Sequence, residues 1–161
     1  MDLRIGHGLD VHRYGADQPL VLGGVEIPSA HGGLAGHSDA DVLTHAVANA
    51  LLGSLALGDL GTHFPDTDPR WRGVSSLDLL RQVVAMVHAR GYRVQNCDAT
   101  VIAQEPRLAP HLSAMRGNLA AVLQVEPDRV SVKATTAERL GALGRVEGIA
   151  AQAVTLVASD G

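Results

Sequence analysis

Cysteine is nearly absent from this chain, with Cys97 standing alone among 161 residues. A lone cysteine forms no internal disulfide and rules out a cysteine-rich zinc ribbon, so a reduced, cytoplasmic setting is the natural expectation. Aromatic residues are scarce too, at 2% against 46% hydrophobic residues overall. The core must therefore be built from Val, Leu, Ile and Ala. Positive charge is in short supply: the net charge is -4 with histidines neutral, which argues against a nucleic-acid groove that relies on bulk positive charge. No apolar run reaches transmembrane length. The opening MDLRIGHGLDVH lacks the apolar stretch of a secretory signal. What the chain has instead is histidine, eight in all, with His7, His12, His31, His37 and His45 crowded into the first 45 residues.

A chain of this length buries about two-thirds of its unfolded surface and needs no disulfide staples. Residues 2–6 read as a short strand. Leu20-Val21-Leu22 and Val25-Glu26-Ile27 flank Gly23-Gly24, a two-residue hairpin signal because primed turns need positive φ. Ser38 begins an S-x-x-D pattern that fits a variant capping box. Val42, Ala46, Val47, Ala50 and Leu51 then recur at helical spacing, predicting a helix over 39–57. Residues 58–75, rich in Gly, Pro and Asp, read as a loop. Ser75 or Ser76 caps a second helix to Arg90, stopped by Gly91. Tyr92–Ala103 reads as a strand, Pro106 opens a third helix to Val125, and Val130–Ala134 is a strand. Thr136 caps a one-turn helix at 137–140. Ile149–Ala158 is a nearly all-apolar last strand, so both its faces should be covered. The alternation predicts one α/β (α+β) domain over 1–161, a β-sheet with helices and an N-terminal hairpin.

Asp10 and His12 are two apart, which puts both on one side of an extended backbone. His45 sits on the first helix. Two histidines and a carboxylate are a known set for catalytic zinc, which keeps its fourth position open. Spacing alone does not choose among His7, Asp10, His12, His37, Asp39, Asp41 and His45, and satisfied polar residues in loops would look the same. Asp59, Asp66 and Asp68 in the 58–75 loop suit either Asx turns or contacts to substrate hydroxyls. Thr135, Thr136 and Glu138 join a strand to a helix, as a plain cap or as a site for phosphate and a hard cation. Ala103 to Arg107 is a similar junction. Trp71 and Cys97 carry no motif.

Together these segments resemble the 2-C-methyl-D-erythritol 2,4-cyclodiphosphate synthase family. The resemblance rests on RIGHGLDVH at 4–12, HSDADVLTH at 37–45, ALGDLGTHFPDTDP at 56–69, VKATTAERLG at 132–141 and GRVEGIAAQAV at 144–154, all in order. It implies a mixed sheet covered by helices on one face, with sheets packed around a trimer axis. It also implies a homotrimer whose active sites lie between subunits. The implied reaction is the attack of a 2-phosphate on the β-phosphorus of a cytidyl diphosphate, closing a ring and releasing CMP. By the same resemblance Asp10, His12 and His45 hold zinc, and Glu138 holds magnesium or manganese. His37 and Thr136 stabilise the transition state. Substrate contacts fall to Asp10, His12, His37 and Ser38, to Asp59, Leu60, Gly61, Phe64, Asp66 and Asp68, and to Thr135, Thr136, Glu138, Ala142 and Arg145. Ala103, Glu105, Pro106, Arg107 and Ala109 form the cytidine pocket, with Arg107 where lysine is common. No nucleic acid or membrane partner is implied.

Three positions depart from the pattern. Asn49 replaces an aspartate one turn after His45, where it would orient a ligand more weakly than a carboxylate. Ala142 replaces a phenylalanine, widening the cavity expected there, and Val146 replaces a glycine. Two other readings use the same residues. One is a zinc phosphoesterase with water as nucleophile. The other is a trimer that binds CMP and zinc without turnover. A purely structural zinc would need a fourth protein ligand.

Overall fold

The computed structural model describes residues 1–159; the last two positions of the expected 1–161 domain lie outside them. Strand β1 runs over Leu3–Ala16, far longer than the short strand predicted over 2–6. Gly6 and Gly8 are what let it lie under the first helix. A Cβ on Gly6 would lie 1.8 Å from the carbonyl oxygen of Ala50, and one on Gly8 2.0 Å from that of Ala46. The first helix therefore lies directly on the β1 backbone. Any side chain at either position would push it away.

The hairpin forms as predicted, with β2 at Leu20–Leu22 paired to β3 at Val25–Ile27. Gly23 and Gly24 turn it with φ of 56° and 69°, as a primed turn demands. A short strand β4, Gly33–Leu34, pairs with the end of β1.

Helix α1 spans Val42–Ser54, shorter than the predicted 39–57. Its cap is Asp41, not Ser38. The Asp41 carboxylate is wholly buried and takes four donors: the amides of Thr44, Gly23 and Gly24 and the Thr44 hydroxyl, at 2.7–3.0 Å. One side chain thus starts the helix and pins the hairpin to it. α1 is buried on nearly every side, between the sheet and the helix at Ser76–Ala89, which suits its apolar composition.

The expected loop at 58–75 contains one helical turn, α2 at Leu60–His63, and a 3₁₀ turn at Pro69–Trp71. Helix α3, Ser76–Ala89, ends before Gly91, whose φ is 75°. β5 covers Tyr92–Ile102. The third long helix, α4, begins at Leu112, not at Pro106. Leu108 tucks into the core and a 3₁₀ turn follows at Ala109–His111, so 103–111 wraps the end of β5 before the helix can start. β6 is Val130–Thr135. The one-turn helix expected at 137–140 is displaced to α5, Gly141–Gly144, because Glu138 and Arg139 have positive φ and cannot continue a right-handed helix. β7 is Gly148–Ser159.

The main sheet has the order β4-β1-β7-β5-β6, with only β5 and β6 parallel. Helices cover one face of this mixed sheet. The other face is open, which corrects the expectation for β7: Ile149, Ala151, Ala153 and Val157 are buried toward α1, but Gln152 and Val154 are exposed. The neighbouring β1 side chains on this face include Ile5, 71% exposed, and Leu9, 58% exposed. No helix among the described residues is long and apolar enough to cross a membrane.

Candidate metal centre and substrate cavities

Alternation along β1 turns Asp10 and His12 toward α1, where His45 occupies the first turn. Their ligating atoms all lie within 4.8 Å of one another, the only such group of three among the described residues. The Asp10 Oδ2 is 2.9 Å from His12 Nε2 and 3.0 Å from His45 Nδ1, and those two nitrogens are 3.3 Å apart. The same alternation sends His7 to the open face, and Asp41 is consumed as a cap. Asp39 binds the start of α3 instead.

The outer partners of the two rings decide what the cluster can hold. His12 Nδ1 is 2.7 Å from the carbonyl of Ala35, which only accepts, so Nδ1 carries the hydrogen. His45 Nε2 is 2.8 Å from the hydroxyl of Ser76, whose own hydrogen goes to Asp39. Nε2 is therefore the protonated nitrogen of His45. Both rings then aim a lone pair at a carboxylate oxygen. Three electron-rich atoms facing one another need a cation or a proton between them, and this donor set suits zinc. Protons answer the same demand. Burial opposes charge on Asp10, yet the bonds from His12 and His45 outweigh it and hold the carboxyl well below the usual range. Burial likewise acts against a charged His12, and the Asp10 carboxylate still raises its pKa above the ordinary value.

The cluster forms the floor of a cavity of about 440 Å³. His37, Ser38, Asp59, Leu60, Gly61, Phe64 and Asp66 line it. His37 Nε2 donates to the Asp68 carbonyl at 3.2 Å. Asp68 itself does not line the cavity; its carboxylate caps the 3₁₀ turn and pairs with Arg70 at 2.6 Å. Asn49 lines the wall but does not orient a ligand, contrary to expectation. Its Oδ1 accepts the Leu60 amide at 2.9 Å. Trp71, which carried no motif, also lines the cavity and meets Phe64 edge to face at 5.1 Å. Only an aromatic in a Pro- and Asp-rich loop signalled it.

A second cavity, about 470 Å³, is lined by Ala103, Glu105, Pro106, Arg107 and Ala109 together with Thr135 and Thr136. Thr136 donates to Glu138 at 3.1 Å beside it. The two cavities share no residue. Val11, Ala150, Ile102 and Thr135 form one row across the sheet, so both lie at the same level. Three strand spacings, about 14 Å, separate β1 from β6. Ala142 and Arg145 line neither cavity, and Arg145 pairs with Glu147 at 2.6 Å.

With this geometry in place, known proteins give a consistent picture. The YgbB family pattern matches residues 3–158. A 2-C-methyl-D-erythritol 2,4-cyclodiphosphate synthase from Symbiobacterium thermophilum is 61% identical over 96% of this chain and 98% of its own length. One from Pseudomonas aeruginosa is 59% identical over the same shares, 96% and 98%. Among solved structures, the bifunctional IspDF from Campylobacter jejuni superposes with a TM-score of 0.94 at 40% identity, over 99% of this chain and 43% of that larger one. IspF from Plasmodium falciparum, solved as a CDP complex, gives 0.85 at 31% identity over 99% and 97% of the two chains.

Proposed function

This chain belongs to the YgbB family, and from that premise we propose that it converts 4-diphosphocytidyl-2-C-methyl-D-erythritol 2-phosphate to 2-C-methyl-D-erythritol 2,4-cyclodiphosphate and CMP, a step of non-mevalonate isoprenoid precursor synthesis. The observation that carries this reading is the pair of cavities at one level of the sheet. One is lined by an Asp-His-His cluster, carboxylates and a histidine. The other is a loop pocket that ends at Thr136, with Glu138 hydrogen-bonded beside it.

In the reaction an oxygen of the 2-phosphate bonds to the β-phosphorus, and the bond from that phosphorus to the bridging oxygen breaks. Its electron pair leaves on CMP. The nucleophile is already anionic near neutral pH, so positioning and charge stabilisation dominate over general base catalysis. Zinc on Asp10, His12 and His45, with magnesium or manganese on Glu138, would supply the positive charge that draws the phosphates together and steadies the leaving group. Glu138 offers a single carboxylate, as suits a cation that shares its shell with substrate phosphates. The loop around Asp59 would hold the erythritol hydroxyls; Asp59 Oδ1 is engaged by Thr62, leaving Oδ2 for substrate. His37 and Thr136 would donate to phosphate oxygens once substrate replaces their present acceptors, the Asp68 carbonyl and Glu138. Residues 103–109 would hold the cytidine.

One chain keeps the two half-sites about 14 Å apart. It also leaves an apolar sheet face uncovered. Both facts support a homotrimer in which sheets meet at an axis and each site is shared between neighbours. The test is to incubate the protein with the cytidyl substrate, zinc and magnesium and to follow phosphorus NMR. Cyclic diphosphate plus CMP is expected. Inorganic phosphate would indicate a phosphoesterase instead, and no product a binding protein. Light scattering checks the mass of three chains.

A further inference from the structure

The two histidines of the cluster are held from behind in different ways. His12 leans on a neutral backbone carbonyl. His45 leans on a serine, and that serine leans on a charge. Ser76 is the first residue of α3 and is wholly buried. Its hydroxyl accepts from His45 Nε2 at 2.8 Å and donates to Asp39 Oδ1 in a short bond. Asp39 is fixed in turn: its Oδ2 accepts the Ser76 amide at 3.0 Å, and its Oδ1 accepts the Asp41 amide at 3.2 Å. Ser38 Oγ stands 3.1 Å from the same His45 nitrogen and accepts the Ala40 amide at 3.2 Å.

We propose that Ser76 and Asp39 are positioning residues for the metal site, a relay that locks His45 in the tautomer presenting Nδ1 and makes that nitrogen a stronger ligand. The inference rests on the zinc reading of the Asp10, His12 and His45 cluster. Its physical basis is direct. A histidine that donates its outer N–H toward a carboxylate is held in one ring orientation and gains basicity at the inner nitrogen. Here the carboxylate is one hydroxyl further out, and the serine transmits its pull because it has one hydrogen to give and lone pairs to receive.

A merely structural role has to be separated from this one, because Asp39 also caps α3. The Ser76→Ala variant makes the separation, since it keeps the amide that Asp39 caps and deletes only the hydroxyl. The experiment measures zinc dissociation constants by competition with a chelating dye, and melting temperatures of the metal-free proteins. Wild type should bind zinc. Ser76→Ala should bind it about 10- to 100-fold more weakly, the usual cost of losing an outer partner, while the metal-free protein melts close to wild type. Ser76→Thr, which restores the hydroxyl, should recover affinity. Asp39→Asn, which keeps a carbonyl acceptor and removes the charge, should lose part of it. Wild-type affinity in both Ser76→Ala and Asp39→Asn would overturn the relay. So would a fall in Ser76→Ala that Ser76→Thr, folded, fails to reverse. Failure of wild type itself to bind zinc would instead remove the metal reading on which the relay stands.

Discussion

Asn49 on α1 accepts the backbone amide of Leu60 through its side-chain oxygen at 2.9 Å, tying the helix that carries His45 to the loop that carries Asp59. Asn49→Ala should free that amide, lower stability by about 1 kcal/mol and raise KM for substrate more than it lowers kcat. Asn49→Asp keeps an acceptor for the same amide and should leave zinc affinity and melting temperature near wild type. Steady-state kinetics and thermal melts on the two variants decide this. A large loss in Asn49→Asp would show that the amide nitrogen, not the oxygen, matters.

Gly8→Ala would place a methyl group 2.0 Å from the Ala46 carbonyl oxygen, one residue from His45. Neither backbone can yield without moving α1 off β1. A melting-temperature fall on the order of 5–10 °C is expected, from a few kcal/mol of overpacking. Zinc affinity should fall with it, since the shift separates His45 from Asp10. Calorimetry with and without zinc measures both.

Asp10→Ala or His45→Ala should each abolish zinc binding and CMP release, because two ligands do not make a site of this kind. Metal content by atomic emission and product by phosphorus NMR give the answer. Full turnover in either variant would remove the assignment.

Glu138→Ala should weaken the response to added magnesium or manganese and leave zinc content unchanged, because Glu138 sits by the other cavity, next to Thr136. A metal titration of turnover that matches wild type would refute the role of Glu138.

The pH dependence of the metal-free protein follows from the same cluster. The His12 pKa is raised in the fold, so its contribution is complete below about pH 6.5, the ordinary histidine value, and is lost as pH rises through the raised one. The Asp10 pKa is lowered, so its contribution holds above about pH 3.9 and is lost only as pH falls further. Melting temperatures should therefore fall on the alkaline side in the metal-free protein, and Asp10→Asn should flatten that limb. Zinc needs neutral rings, so its stabilisation should grow as pH rises over the same range.

Several local features follow from residue pattern alone. Gly23-Gly24 between two apolar triplets dictated the hairpin, because few other residues accept two successive positive φ values. The pair Asp10 and His12 dictated a shared face, because side chains alternate along any strand. Apolar spacing after Asp41 dictated α1. The family motifs, in order, pointed to the chemistry.

Other features depend on contacts between residues far apart in the chain. The strand reading stops at Gly6 because the purpose of Gly6 and Gly8, admitting a helix backbone, is set by a partner some forty residues away. His7 and Asp41 stayed open as ligands until strand parity and burial removed them. Ser76 read as a helix cap because its bond to His45 crosses 31 positions of chain. The separation of Thr136 from Asp10 was invisible as well, since it depends on β7 and β5 inserting between β1 and β6. Local pattern fixes which side of an element a residue takes. What that side faces depends on long-range packing, which no short window of sequence contains.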